Sequence, residues 1–434
     1  MIVAFTKDWD DVPTCTTHIL REMAKTIPVL WVSSIGTRKP SATSGKDVRR
    51  IIGRIVSGLK PAEWKENNLW VLKPILIPKA ESSFAKWINR KIFGWYVRRE
   101  RRGESGEGRE ALSSKSSDLC SLEYWCFVPN AVDLIPLESG IGLKGETIAT
   151  CNDCNVQRLQ HTKDAKIVYY CADDWTQFHN LDGEWMKAKE NELVQRADVV
   201  FVTSRFLENK LAPLISPQKL SALSSKLSAS HSPLSALSSK LIYMPHGVEY
   251  NRFATALDKT LPVPEDVADI SKPVVGFYGN LHPWVDFGLI RSLAVARPKW
   301  SFVLIGEKYA DLSELEALPN VFMLGRRDHG MLHDYCRAFD LSIIPYDMTN
   351  PRMESVNPVK TKEILAAGIP VVASDVPELR NYGDDVIACC GVDEWLVAMD
   401  RQIVRNDQNE ISARVREESW ANKVVKIREL VDAI

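Results

Sequence analysis

The 434-residue chain has no apolar run of about 18 residues, so no part of it reads as a membrane-spanning helix. It has almost no net charge: 55 Lys and Arg against 56 Asp and Glu leave −1 at pH 7, and nothing global draws it to nucleic acid. A disulfide framework is missing too, since nine cysteines, odd in number and scattered, match reduced cytosolic thiols. The one CxxC, "CNDC" with Cys151 and Cys154, is followed by His161 but lacks the second ligand pair of a structural zinc site. No carboxylate pair of the D-x-D kind stands in a context that fits a metal-dependent site, so neither a metal nor any other cofactor is expected. The opening residues "MIVAFTKDWDD" read as a strand followed by acid, not as a signal peptide, and the expected location is the cytoplasm.

What is present is alternation. Strand-like "MIVAFT", "PVLWVSS", "KIVYY" and "DVVFVTS" are separated by helix-like "TTHILREMAKT" and "EWMKAKENELVQRA". After the Pro/Asp-rich stretch 258–273 the rhythm restarts with "VVGFYGN", "FGLIRSLAVA", "SFVLIG", "NVFML", "HGMLHDYCRAF" and "DLSIIPY". Such alternation predicts parallel sheets covered by helices on both faces: an α/β chain of two doubly wound domains with a cleft between them. The expected division is 1–257, a linker 258–273, and 274–434. Low-complexity inserts are expected near 103–118 and 217–241, because "LSALSSKL" occurs at 220–227 and again at 234–241, and "ALSSK" at 111–115. The stretch 84–102 places Phe84, Trp87, Ile88, Ile92, Trp95 and Tyr96 on one helical face amid basic residues. That face either covers a sheet or lies in an anionic membrane surface.

Candidate site residues cluster in "NPVKTKEILAAGIPVVASD", residues 357–375. "EILAAG" reads as a short helix stopped by Gly368, which puts Lys360 and Glu363 at its start, where unpaired amides welcome a phosphate. A cation there suits a leaving diphosphate, and a carboxylate suits ribose hydroxyls; a surface charge pair is the plain alternative. Gly276 and Gly279 bracket a strand end, either to let backbone amides approach a diphosphate or simply to close the strand. Arg352 and Arg326 are further cations for the same charge. In the first half "CADDW" brings Asp173 and Asp174 out at a strand end, as a hydroxyl-activating base or as a helix cap.

These residues carry a resemblance. "YYCADDWTQF", "LVQRADVVFVTSRFL", "YMPHGVEYNRF", "VVGFYGNLHPWVDFGLI" and "NPVKTKEILAAGIPVVASD", in that order, resemble the GT-B glycosyltransferases of group 1 (family 4), particularly the bacterial teichuronic-acid and exopolysaccharide branch. The resemblance implies a GT-B fold and transfer of a sugar from a UDP- or GDP-sugar to a glycan or lipid-linked acceptor, with anomeric retention and no metal. It implies that the second domain holds the nucleotide, with Glu363 as the second Glu of an E-x7-E motif; the first falls on Ser355, with Glu354 beside it. Gly325 and Arg326 match the place where the base rests, and Asn280 and Asn357 complete the expected substrate-binding set. The usual Arg and Lys after the first strand of the second domain are replaced by "GNLHPWVD". "ESWANKVVKI" resembles a last helix that crosses back to the first domain, and 84–102 leaves peripheral contact with the inner membrane face open. The rival readings are a nucleotide-sugar epimerase of the same architecture and a non-catalytic sugar-nucleotide binder or scaffold.

Overall fold

The computed structural model describes residues 1–11, 13–33, 62–77, 82–101, 122–135, 165–178, 181–215 and 240–434. The "CNDC" pair and the repeats at 103–118 and 217–239 lie outside the described residues. Two compact units form: Met1–Val202 with Glu208–Ile242 and Glu429–Ile434, and Thr203–Leu207 with Tyr243–Arg428. The second unit therefore starts ahead of the Pro-rich stretch 258–273 and takes it in, because Val267 packs into that unit's core. The second repeat likewise ends inside the fold. Lys240 is buried with its amine on the Val194 carbonyl, and Leu241 opens a strand.

In the first unit the strands are β1 (Ile2–Thr6), β2 (Val29–Ser33), β3 (Glu63–Glu66), β4 (Leu69–Leu72), β5 (Glu123–Cys126), β6 (Lys166–Cys171), β7 (Val199–Val202) and β8 (Leu241–Tyr243). They order as β3-β4-β2-β1-β5-β6-β7-β8, with β3 antiparallel to β4. "IVAFT", "VLWVS" and "VVFV" are buried along their whole lengths, as strands covered on both faces must be. Helix α1 (Cys15–Ala24) starts from a capping box in which Thr14 and Thr17 satisfy each other's amides. Helix α2 (Ser83–Arg101) resolves the double reading of its aromatic stripe by splitting it. Asn89, Phe93 and Tyr96 face inward: Asn89 bonds both polar groups of the Ile77 backbone, and Phe93 packs 5.2 Å from Phe5. Phe84, Trp87 and Trp95 remain exposed. Helix α3 (Gly183–Arg196) follows an Asp182 cap, and α4 (Arg205–Leu211) follows β7.

The second sheet comprises β9 (Val274–Tyr278), β10 (Ser301–Ile305), β11 (Val321–Gly325), β12 (Leu341–Ile344), β13 (Val371–Ser374) and β14 (Val386–Cys389). Its order is β11-β10-β9-β12-β13-β14 and every pairing is parallel. The order reverses between β9 and β12, the switch point at which ligands of doubly wound sheets bind. Helix α5 (Phe287–Ala296) coincides with "FGLIRSLAVA" and is capped by Asp286, whose carboxylate accepts from the Leu289 amide. Helix α6 (Val359–Ala366) is the short helix expected before Gly368. Gly368 has φ +75, and a Cβ there would press on Leu257 and the Gln408 carbonyl, so both strain and packing require glycine. Helix α7 (Trp420–Asp432) ends the chain, and its last residues belong to the first unit. Among the described residues no helix is long and apolar enough to cross a membrane.

Candidate active site

The second unit's switch point is occupied by one amine. Lys360, in the first turn of α6, carries its Nζ 4.3 Å from the Phe277 ring centroid on β9 and 5.6 Å from that of Tyr346 just past β12. It also fills the space left by the missing side chain of Gly279, whose φ of +139 suits glycine. No ion pair reaches Lys360 among the described residues. Burial lowers its pKa to about 8 against the opposing pull of Glu363. The amine is thus a half-buried cation faced by aromatic rings, a setting that favours an added anion.

Glu363 lies one turn further along α6 and is buried. Its Oε2 accepts from the Tyr278 hydroxyl at 3.0 Å and its Oε1 pairs with His329 Nε2 at 2.8 Å. Burial alone would lower the His329 pKa, but Glu363 and then Glu249 outweigh it and raise it. Between Lys360 and Glu363, the buried Thr361 hydroxyl has no partner among the described residues. Lys362 points elsewhere: its amine donates to the His246 carbonyl and to Glu418, both at 2.5 Å, tying α6 to the chain ahead of α7.

The remaining expected residues divide. Gly279 closes β9, and its amide already donates to the Ile305 carbonyl at 2.8 Å; the next amide, of Asn280, has no acceptor among the described residues and Asn280 is exposed. Gly276 is different in kind: it sits inside β9, and a Cβ there would collide with the Phe339 ring. It is a packing glycine, not a phosphate approach. Gly325 ends β11 at φ +69, with its carbonyl accepting from Gly306; Arg326 is exposed, 3.7 Å from Glu307. Arg352 lies over the Trp284 ring. Ser355 bonds the Arg352 carbonyl and Asn357 the Thr203 carbonyl, so both shape the loop before α6.

In the first unit Asp174 takes the capping role. It is buried and accepts from the Thr176 amide and hydroxyl and from Lys210. Burial would raise its pKa, yet those donors hold it below the ordinary carboxylate value, the wrong direction for a base. Asp173 beside it is half-buried. Sequence reasoning missed Phe277, Tyr278, His329 and Tyr346. Each reads locally as core or helix surface, and only the strand order brings them to one point.

Residues 272–424 match the family model described as glycosyl transferases group 1. The second unit is a group 1 glycosyltransferase domain. Over 224 residues, 49% of the chain, the sequence is 29% identical to a protein of Bacillus subtilis (strain 168) named as a putative teichuronic acid biosynthesis glycosyltransferase, TuaH. The alignment spans about half the length of that relative, 51%. Whole-chain similarity is found with sucrose-phosphate synthase of Thermosynechococcus elongatus, at TM-score 0.58 and 14% identity over 99% of this chain and 98% of that one. Anabaena HepE, solved in complex with UDP and glucose, aligns at TM-score 0.57 and 13% identity over 100% and 99%. At these identities the likeness establishes architecture: the chain has the GT-B fold, a group 1 glycosyltransferase domain following a second Rossmann-like unit.

Proposed function

We propose that the protein moves a sugar from a nucleotide-sugar donor to a glycan or lipid-linked acceptor in surface polysaccharide biosynthesis. The observation that carries this reading is Lys360, an amine without an anionic partner among the described residues, at the switch point of the group 1 domain. Breaking the bond between sugar and phosphate builds negative charge on the departing diphosphate, and a fixed cation stabilises that charge most as it grows. Glu363, held by Tyr278 and His329, retains lone pairs for ribose hydroxyls. The uncommitted Asn280 amide and the start of α6 add donors. UDP- and GDP-sugars both suit this set. The acceptor belongs to the first unit in this reading, with Asp173 as its remaining carboxylate candidate. We further infer retention of anomeric configuration, as the family resemblance implies, and turnover without a divalent ion, since Lys360 supplies the positive charge.

The exposed face of α2 supports a place on the inner surface of the cytoplasmic membrane. Phe84, Trp87 and Trp95 point outward with the Lys91 amine over Trp87, while Lys86 and Arg90 are engaged by Asp133. One experiment tests both parts. Purified protein is incubated with UDP- and GDP-sugars in EDTA, with and without anionic vesicles. Slow donor hydrolysis is expected, along with salt-reversible co-sedimentation. Nucleotide binding without any hydrolysis or transfer would favour a non-catalytic binder, hydrolysis only after adding Mn²⁺ would remove the metal-free reading, and no sedimentation at low salt would remove the membrane.

A further inference from the structure

Past β9 the chain continues as a pinned edge. The Leu281 amide donates to the Glu307 carbonyl at 2.9 Å, and the Leu281 carbonyl accepts from Tyr309 at 3.0 Å. Three residues on, the Trp284 carbonyl accepts from Asp347 and the Asp286 amide donates to the Pro345 carbonyl, at 2.9 and 2.8 Å. Leu281 and Val285 are buried and anchor the segment from below. On this frame the rings of Tyr309, His282 and Trp284 form a column. His282 lies 4.0 Å from each neighbour, at 7° to Tyr309 and 22° to Trp284, and the Arg352 guanidinium lies over the Trp284 ring, 5.2 Å from its centroid.

Tyr309 is 50% exposed. With one face covered by His282, its other face is the column's open end. Ordering several side chains at a surface costs conformational entropy that this much exposed ring area does not repay through burial alone. Burial, and then Arg352, lower the His282 pKa, so the middle ring is neutral and the column is a π surface, not a cation. The column springs from the residues that directly follow Gly279, where the Lys360 amine is housed. Glu307 and Arg326 flank the open end, 3.7 Å apart.

We propose that this column is a preformed platform for the planar base of the donor nucleotide, with the open face of Tyr309 as the stacking surface. The proposal rests on the nucleotide-sugar reading above. It places an aromatic face for the base and a cation for the diphosphate on the same strand end, so base and phosphates are recognised by separable groups.

Calorimetric titrations of UDP, GDP and inorganic pyrophosphate into the full chain test it. Tyr309→Ala is expected to weaken both nucleotides about ten- to a hundredfold, the range of base–aromatic stacking, and to leave pyrophosphate affinity unchanged. Tyr309→Phe, which keeps the ring, is expected to bind like wild type. Tyr309 is exposed, so the variant is expected to fold, and circular dichroism checks it. If wild type binds nucleotides and Tyr309→Ala binds them equally well, or loses pyrophosphate in the same proportion, the platform is overturned while the nucleotide site stands. If wild type binds no nucleoside diphosphate, the platform and the reading beneath it fall together.

Discussion

Two strand ends, one in each unit, handle buried charge in opposite ways. Beyond β6, Lys210 sits between Asp174 and Glu190 at 2.8 Å from each, and Glu190 also accepts from the Tyr169 hydroxyl at 2.7 Å. Beyond β9, Lys360 has rings around it and, among the described residues, no carboxylate in contact. The pKa values respond accordingly. Burial alone would lower Lys210, but its two carboxylates raise it; burial lowers Lys360, and Glu363 is too weak an influence to restore it. A charge that serves the fold arrives with its counter-charge. In the function proposed above, the opposite sign for Lys360 comes from the ligand, and the apo protein bears the cost.

The largest way to break this contrast is Lys210→Met. It strands two buried carboxylates, and removal of one partner from a buried pair costs about 3–5 kcal/mol. The melting temperature should fall on the order of 10 °C for a unit of this size. Nucleotide affinity per folded molecule should stay unchanged. A variant with unaltered melting would show that the triad is no more than a surface pair.

Smaller, and confined to function, is the division of labour within α6. Lys360→Ala should chiefly lower turnover at saturating donor, and Glu363→Gln should chiefly weaken nucleotide binding, each by about ten- to a hundredfold, the worth of one charge-assisted hydrogen bond. Steady-state kinetics on both variants separates these effects. Wild-type constants in both would leave Lys360 and Glu363 as structural charges with no part in donor binding or turnover.

The contrast also explains what was legible in advance. Parallel strands buried on both faces are apolar and rich in β-branched residues, so "IVAFT" and "VVFV" declare themselves locally, as helix-like "FGLIRSLAVA" does by its length. The place of Lys360 and Glu363 at a helix start is legible because a glycine stop at 368 counts back to it. Gly276 was misread because its reason, the Phe339 ring, is remote in sequence. Asp174 stayed ambiguous between base and cap because Lys210 lies on another helix. The column of Tyr309, His282 and Trp284 joins two loops, and no local periodicity encodes it. Single elements are written in neighbouring residues, whereas charge pairing and ring stacking depend on strand order.

The smallest effect gives the sharpest test, because it asks Lys360 for its proton. With the amine near pKa 8 in the free protein, about half the molecules carry the charge at pH 8. A bound diphosphate favours the ammonium and raises that pKa, so binding should take up a proton. Affinity should then be level below about pH 7 and fall as pH rises through 8. Stability runs the other way. The folded pKa lies below the unfolded one, so the unfolded chain binds more protons between about pH 8 and 10.5, and folding gains from Lys360 as pH rises through that window. Lys362 complicates the stability curve, since burial also lowers it to about 8, but its amine is committed to Glu418 and the His246 carbonyl. Ligand-linked protons discriminate between the two. Calorimetry of UDP binding at pH 8 in buffers of different ionisation enthalpy should show uptake of about half a proton in wild type. Lys360→Met should show almost none, and should melt higher than wild type at pH 7 because a buried ammonium has been removed. Uptake that persists in Lys360→Met would mean the proton belongs to another group, and the amine at the switch point would not be the one that meets the diphosphate.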